Sequence, residues 1–436
     1  MNKKVNVCLL NDSFPPLIDG VANAVVNYGE IIQEKYGNAI VATPDYPNVD
    51  DSQFSFSVKR YTSIDTTKLV GYRAGIPFDF SFINQFSKDN VDIIHSHCPV
   101  ASTFLARIIR DKIEVPLIFT YHTKFDIDIK NAIDSKLIQE AAIRLLVENI
   151  EACDEVWTVS KGAAENLKSL GYKGECLLME NGVDFSKGKS SQQEIEEVKK
   201  QYNLPNDKVI YLFVGRLMWY KGIKIIIDAL KIKKQHNQPF VMLFVGKGID
   251  QDEIMDYVRE CQLSDECIFT GAISDRDKLK AIFSASDLFL FPSTFDTNGI
   301  VVREAAAASL ATVLIKNSCA AEGTIDRENV IQIEENPDSL ANILLNYNKD
   351  YFHKIGENAA NQLYISWQQS VEHAVERYKY VLEKFNYQKK PLFKMDMQDG
   401  MFALWAQLSN GIEKAKQNRL RIEEEFKEIK RIFRGK

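Results

Sequence analysis

Short apolar runs alternate with amphipathic segments along nearly the whole chain. In the first half the runs Val5–Asn11, Ala39–Thr43, Asp92–His95, Pro116–Tyr121, Glu155–Val159 and Cys176–Met179 read as strands. Helical spacing of apolar positions fills Ala22–Lys35, Ala101–Arg110, Lys136–Ala152 and Gly162–Leu170 between them. The second half repeats the pattern, with strands expected at Val209–Gly215, Val241–Gly246, Cys267–Thr270, Leu288–Phe291 and Thr312–Ile315. Such alternation predicts an α/β fold of repeated strand–helix units on parallel sheets. Ser186-Lys187-Gly188-Lys189-Ser190-Ser191 breaks it with a polar, aperiodic stretch that reads as a linker. Two domains are therefore expected, at 1–186 and 206–366. A long helical segment follows at 367–386, then a helical extension at 387–436.

Composition narrows the class. With 436 residues, 45% hydrophobic and 26% charged, the chain can bury two ordinary globular cores. A formal charge of −6 gives no reason to expect nucleic acid as a partner. Seven scattered cysteines without C-x-x-C spacing read as buried free thiols in a reducing cytoplasm. Met1-Asn2-Lys3-Lys4 leads into only a short apolar strand, so no signal peptide is expected. No stretch approaches the ~20 apolar residues of a membrane span, which leaves peripheral contact on the inner face of the membrane as the only membrane association expected.

Two clusters carry the chemistry. Gly215-Arg216-Leu217-Met218-Trp219-Tyr220-Lys221-Gly222 closes one apolar run and opens an amphipathic one, and Asp296-Thr297-Asn298-Gly299-Ile300-Val301-Val302-Arg303-Glu304 does the same further on. Each reads as a strand end passing into a helix start, where backbone N–H groups and the helix dipole hold anions. Arg216 and Lys221 supply two cations for a diphosphate, and Asp296 and Glu304 two carboxylates for hydroxyl groups. Together they suggest a nucleotide-sugar site.

Both clusters resemble those of the retaining glycosyltransferases of the large bacterial family usually called family 4, which includes sucrose and glycolipid synthases. Its G-R-L-x-x-x-K-G segment matches from Gly215 to Gly222, and its pair of carboxylates with seven residues between them matches at Asp296 and Glu304, with aspartate standing for the first glutamate. Asn181-Gly182-Val183-Asp184 resembles the motif that closes the family's first domain. The resemblance spans about Val5 to Phe385. It implies a GT-B fold, two Rossmann-like domains facing across a cleft, with the helix from Trp367 returning to the first domain.

It also implies roles. Arg216 and Lys221 would stabilise the departing diphosphate. Asp296 would contact donor-sugar hydroxyls, and Glu304 the nucleotide ribose. Gly299 and Ile300 would offer backbone N–H groups to phosphate. Asp12-Ser13-Phe14-Pro15-Pro16-Leu17-Ile18-Asp19-Gly20 resembles the loop over the donor phosphates, where Asp19 replaces one glycine and Gly20 remains. His122, in Tyr121-His122-Thr123, resembles the histidine beside the sugar carbon under attack. His95 and His97 share a strand face and suit packing or acceptor contact better than a metal. Asp126-Ile127-Asp128 is a D-x-D, but it reads as a solvated pair, since Arg216 and Lys221 already supply positive charge. No cofactor and no essential metal are expected.

The activity so implied is transfer of a hexose, by default glucose, from a nucleoside diphosphate sugar to a hydroxyl acceptor, by front-face substitution. The Tyr121-His122-Thr123 and Phe14-Pro15-Pro16 segments are similar to those of bacterial diacylglycerol glucosyltransferases, so a membrane glycolipid precursor is one acceptor. A soluble or cell-wall saccharide is another, and a noncatalytic nucleotide-sugar-binding subunit is the reading from a different class. Met1–Phe185 carries 18 Lys and Arg against 25 Asp and Glu, which opposes docking on an anionic leaflet. The tail Glu413–Lys436 carries nine Lys and Arg against five Glu, with Ile422, Phe426, Ile429 and Phe433 on one helical face. Self-association, docking on the first domain and membrane contact all remain open for it.

Overall fold

The computed structural model describes residues 4–17, 19–67, 73–122, 125, 129, 135–294 and 299–391. Asp296, Asn298, the Asp126–Asp128 pair and the tail from residue 392 lie outside the described residues.

Two parallel sheets organise the chain. The first is built from β1 (Val7–Leu10), β2 (Ala39–Pro44) and β3 (Ser57–Tyr61), then, beyond a small antiparallel pair of β4 (Ser63–Ile64) and β5 (Ala74–Gly75), from β6 (Ile93–Ser96), β7 (Leu117–Tyr121), β8 (Glu155–Thr158) and β9 (Leu177–Leu178). Its order is β3-β2-β1-β6-β7-β8-β9. The second comprises β10 (Val209–Val214), β11 (Phe240–Val245), β12 (Cys267–Gly271), β13 (Leu288–Phe291), β14 (Thr312–Ile315) and β15 (Ile331–Ile333), in the order β12-β11-β10-β13-β14-β15. In each sheet the chain starts in the middle and winds both ways, so β1 and β10 mark the switch points where crevices open beyond the strand ends.

Strand residues alternate between two buried faces in the first sheet. Cys8 and Leu10 pack with Leu105, Ile109 and Leu146 on one side; Val7 and Leu9 pack with Tyr28 and Trp157 on the other. That second face is completed from far away in sequence, by Trp367, Val371, Ala374, Val375, Tyr378 and Val381 of the helix Trp367–Lys384. A Ser366–Gln369 capping box starts this helix. Trp367 Nε1 donates to Asp184 at 2.8 Å, and Tyr378 stacks on Trp157 with ring centroids 5.4 Å apart. Each large apolar side chain buried here contributes about 1.5–3 kcal/mol, against about 1 kcal/mol net for one hydrogen bond. Packing, then, holds the helix to the first domain, and Asp184 sets its register.

Boundaries differ from expectation at several places. The helix expected over Ala22–Lys35 begins at Gly20 and ends at Ile31, and a π-helical turn, Ile32–Tyr36, follows it. β3 and β15 were not expected at all. Of the extension expected to be helical, residues 387–391 are not helix. They are strapped to the first domain instead: Arg110 reaches the Gln388 carbonyl at 3.2 Å, Arg107 the Pro391 carbonyl at 2.8 Å, and Lys390 the Cys153 carbonyl at 2.9 Å. All seven cysteines are free, five of them buried. Among the described residues no helix is long and apolar enough to cross a membrane.

Gly182 sits where the chain between the domains meets the returning helix. A Cβ there would lie 2.3 Å from the Trp367 nitrogen, so no side chain fits without moving the helix. Gly182→Ala should lower stability by about 1–3 kcal/mol, the usual cost of overpacking, read as an earlier denaturant midpoint. An unchanged midpoint would contradict this packing.

Candidate active site

The second domain supplies adjacent loops from neighbouring strands β10 and β13. After β10, Gly215 N–H donates to the Val245 carbonyl at 3.0 Å and Leu217 N–H to that of Lys247 at 3.1 Å, which ties this loop to the one after β11. Leu217 is fully buried as an anchor, whereas Arg216 beside it is exposed. Trp219–Lys221 then forms a 3-10 turn, and Gly222 opens the helix Ile223–Gln235 with φ of 75°. A Cβ on Gly222 would fall 2.0 Å from the Pro292 carbonyl oxygen, so glycine is what lets the two loops touch. The turn leaves Lys221 only 7% exposed, with its ammonium 5.5 Å from the Tyr220 ring centre. The two cations expected to act together thus differ sharply in environment. A lysine is seldom buried unless its charge is paired.

After β13, Gly299 adopts φ of 52° and caps the helix Ile300–Ala307. Ile300 is 40% exposed at its first turn. Glu304, one turn further in, is 8% exposed, and burial raises its pKa against the opposing pull of Arg276. Arg276 Nη2 meets Glu304 Oε1 at 2.5 Å and reaches Asp184 Oδ2 at 3.6 Å, while its guanidinium covers the Phe185 ring. Asp184 is the residue that holds Trp367. The carboxylate expected to bind a ribose is therefore wired, through one arginine, to the junction of the two domains.

A second contact crosses the junction. The Glu322 carboxylate accepts from Lys161 N–H at 2.8 Å and Gly162 N–H at 3.0 Å, capping the helix Lys161–Ser169 of the first domain. A cavity of about 270 Å³ lies beside it, lined by Ser160, Glu180, Gly299, Val302 and Glu322 among others.

In the first domain the candidate residues follow β1, β6 and β7, which are neighbours. Phe14 is fully buried against Phe54 and Phe56, and Arg60 donates to the Pro15 carbonyl at 2.7 Å, so the loop after β1 is anchored. Asp12 is buried before it; burial raises its pKa, and Oδ1 accepts from Ser102 N–H at 2.9 Å, Ser102 Oγ at 2.6 Å and Tyr61 at 3.1 Å. Asp19, the residue in place of a glycine, caps the helix Gly20–Ile31 by accepting from Val21 and Ala22 N–H at 2.8 and 2.7 Å. Gly20 is exposed, with open space where a Cβ would stand.

His122 stands just after β7 and is 8% exposed; burial pushes its pKa down to about 3, so the ring is neutral. It meets His97, which stacks against His95, and His95 bridges Tyr378 of the returning helix at 2.6 Å and Thr120 at 2.7 Å. The shared strand face of His95 and His97 thus serves packing and hydrogen bonding. Among the described residues no cluster of three His, Cys, Asp or Glu is placed to hold a metal ion.

Sequence reasoning missed Arg276 as part of the site and left His97 between packing and acceptor contact. Arg276 lies 28 residues before Glu304 in a polar stretch with no distinguishing spacing. His97 carried a visible signal, one residue beyond β6 and next to the strand that precedes His122.

Comparison with known proteins agrees with this architecture. The family model described as Glycosyltransferase Family 4 matches residues 18–187, and that described as Glycosyl transferases group 1 matches 194–362. The alpha-monoglucosyldiacylglycerol synthase of Acholeplasma laidlawii is 22% identical over 370 residues, covering 81% of this chain and 92% of that protein. A GDP-mannose-dependent alpha-mannosyltransferase of Corynebacterium glutamicum is 23% identical, covering 71% of this chain and 72% of that protein. Among solved structures, Anabaena HepE in complex with UDP and glucose matches with a TM-score of 0.63 at 18% identity, covering 86% of this chain and all of that one. Sucrose-phosphate synthase of Thermosynechococcus elongatus matches at 0.67 and 19%, covering 88% of this chain and all of that one. With one family model on each sheet and well over half of the chain matched, the protein has the GT-B fold and belongs to the family 4, group 1 glycosyltransferases.

Proposed function

We propose that the protein transfers a hexose, by default glucose, from a nucleoside diphosphate sugar to a hydroxyl acceptor with retention of configuration. The observation that carries this reading is the burial of Lys221 at the switch point of the second sheet, in the loop whose Gly222 touches Pro292 just after β13. A cation held there favours the diphosphate more as the sugar leaves and its charge grows. Gly299 and Ile300 would add N–H groups from the helix start. Asp19 already occupies the corresponding helix start in the first domain, which shifts the burden of phosphate binding onto the second. Glu304 would exchange its bond to Arg276 for the ribose hydroxyls. Asp296 would hold the sugar hydroxyls.

In the step itself the acceptor oxygen bonds to the anomeric carbon as the carbon–phosphate oxygen bond breaks, and the acceptor proton passes to the departing phosphate. A diacylglycerol acceptor is favoured by the likeness to the alpha-monoglucosyldiacylglycerol synthase of Acholeplasma. A saccharide acceptor is the second reading, favoured by the acidic balance of the first domain. Incubation with a panel of UDP- and GDP-sugars and with both acceptor classes tests the proposal. Acceptor-dependent release of nucleoside diphosphate is expected, and its absence from every combination contradicts the reading and favours a noncatalytic binding subunit.

Lys221→Ala should cut kcat by about 100-fold or more, the cost of one stabiliser of a developing anion. Arg216→Ala should cost about tenfold, because solvent screens an exposed cation. Steady-state kinetics on the folded variants decides, and a larger loss at Arg216 would reverse the assignment.

Glu304→Gln should weaken UDP binding by about 1.5–3 kcal/mol through loss of a charged acceptor, while Asp296→Asn should affect transfer more than UDP affinity. Calorimetry with UDP tests both, and equal losses would contradict the division. Turnover should persist in excess EDTA; loss on chelation, restored by magnesium, would bring Asp126 and Asp128 into the site.

A further inference from the structure

His97 and His122 share a hydrogen bond whose direction matters. Each stands one residue beyond its strand, β6 or β7, and His97 Nδ1 lies 2.9 Å from His122 Nε2. Burial lowers the pKa of both rings, so both are neutral and the bond contains one proton. If His122 carries it at Nε2, His97 accepts at Nδ1 and must keep its own proton at Nε2. If His97 carries it at Nδ1, its Nε2 is a bare lone pair, and His122 keeps a proton at Nδ1.

His97 Nε2 decides between them. It is buried and has no hydrogen-bond partner. Around the ring stand Tyr28, edge to face at 5.5 Å, and His95 at 4.0 Å, whose nitrogens are engaged by Tyr378 and Thr120. An N–H sealed at this position would be an orphaned donor, which folded proteins almost never keep, whereas an unused lone pair costs less.

We propose that His97 is a positioning residue that fixes His122 in the tautomer protonated at Nδ1, so that His122 meets its substrate as a hydrogen-bond donor and not as a base. Its Nδ1 takes no partner among the described residues. A fixed N–H there recognises a lone pair on a sugar hydroxyl and leaves the acceptor proton to the departing phosphate. The recognition step rests on the function proposed above; the tautomer does not.

Nitrogen-15 spectra of the histidine-labelled full chain at neutral pH read the tautomer directly, with the His122 signals identified by their loss in His122→Gln. A protonated Nδ1 and bare Nε2 on His122 are expected, and a proton on His122 Nε2 overturns the proposal whether or not turnover is found. In kinetics, His97→Asn keeps an amide N–H near the Nδ1 position and should retain kcat within a few-fold. His97→Leu should lose about tenfold, as when the partner that orients a functional imidazole is removed, with UDP affinity unchanged. Equal losses in the two variants, or a loss of UDP affinity in His97→Leu alone, would overturn it. If no nucleotide sugar is turned over, the proposed function fails while the spectra still decide the tautomer.

Discussion

The arrangement depends on one packing event: the helix Trp367–Lys384 leaves the second domain and completes the apolar face of the first sheet. Without it, Val7, Leu9 and Trp157 would lack a cover, and the crevices beyond β1 and β10 would have no fixed relation. The helix also reaches the candidate chemistry. Tyr378 stacks on Trp157 and bonds His95, which stacks on the ring that holds His122. At its start Trp367 bonds Asp184, which pairs with Arg276 and through it with Glu304. One element therefore touches both halves of the proposed site, and a ligand that draws Glu304 from Arg276 would act on the same junction.

Burial environment separates residues that motif reading treats alike. Arg216 and Lys221 are both cations of one segment, yet only Lys221 is removed from solvent, where a charge acts over a lower dielectric. Among the three neighbouring histidines, His95 has a partner at each nitrogen, His97 at one, and His122 turns its second nitrogen to no described residue. This gradation in hydrogen bonding is invisible in the bare pattern of residue types.

Most of the fold was legible in the sequence because the central strands are buried on both sides and stand out as apolar runs. β3 and β15 were not: Ser57-Val58-Lys59-Arg60-Tyr61 is an edge strand with charged positions, and Ile331-Gln332-Ile333 is too short to show a period. The candidate residues at strand-to-helix turns were legible because glycine, cation and carboxylate recur there at fixed spacing. Arg276, Asp19 as a cap, and Glu322 across the junction were not, since their roles arise from contacts between distant segments or from which N–H groups a carboxylate reaches.

In the proposed function, the leaving diphosphate is held by the second domain while the acceptor attacks on that same face, with no imidazole base. The anomeric configuration of the product tests it most directly. With a nucleotide α-glucose donor, proton NMR of the newly formed glycoside should show an α linkage from the first turnovers. A β-linked product would mean attack from the opposite face, require a base that neutral, donor-oriented His122 cannot be, and contradict the account.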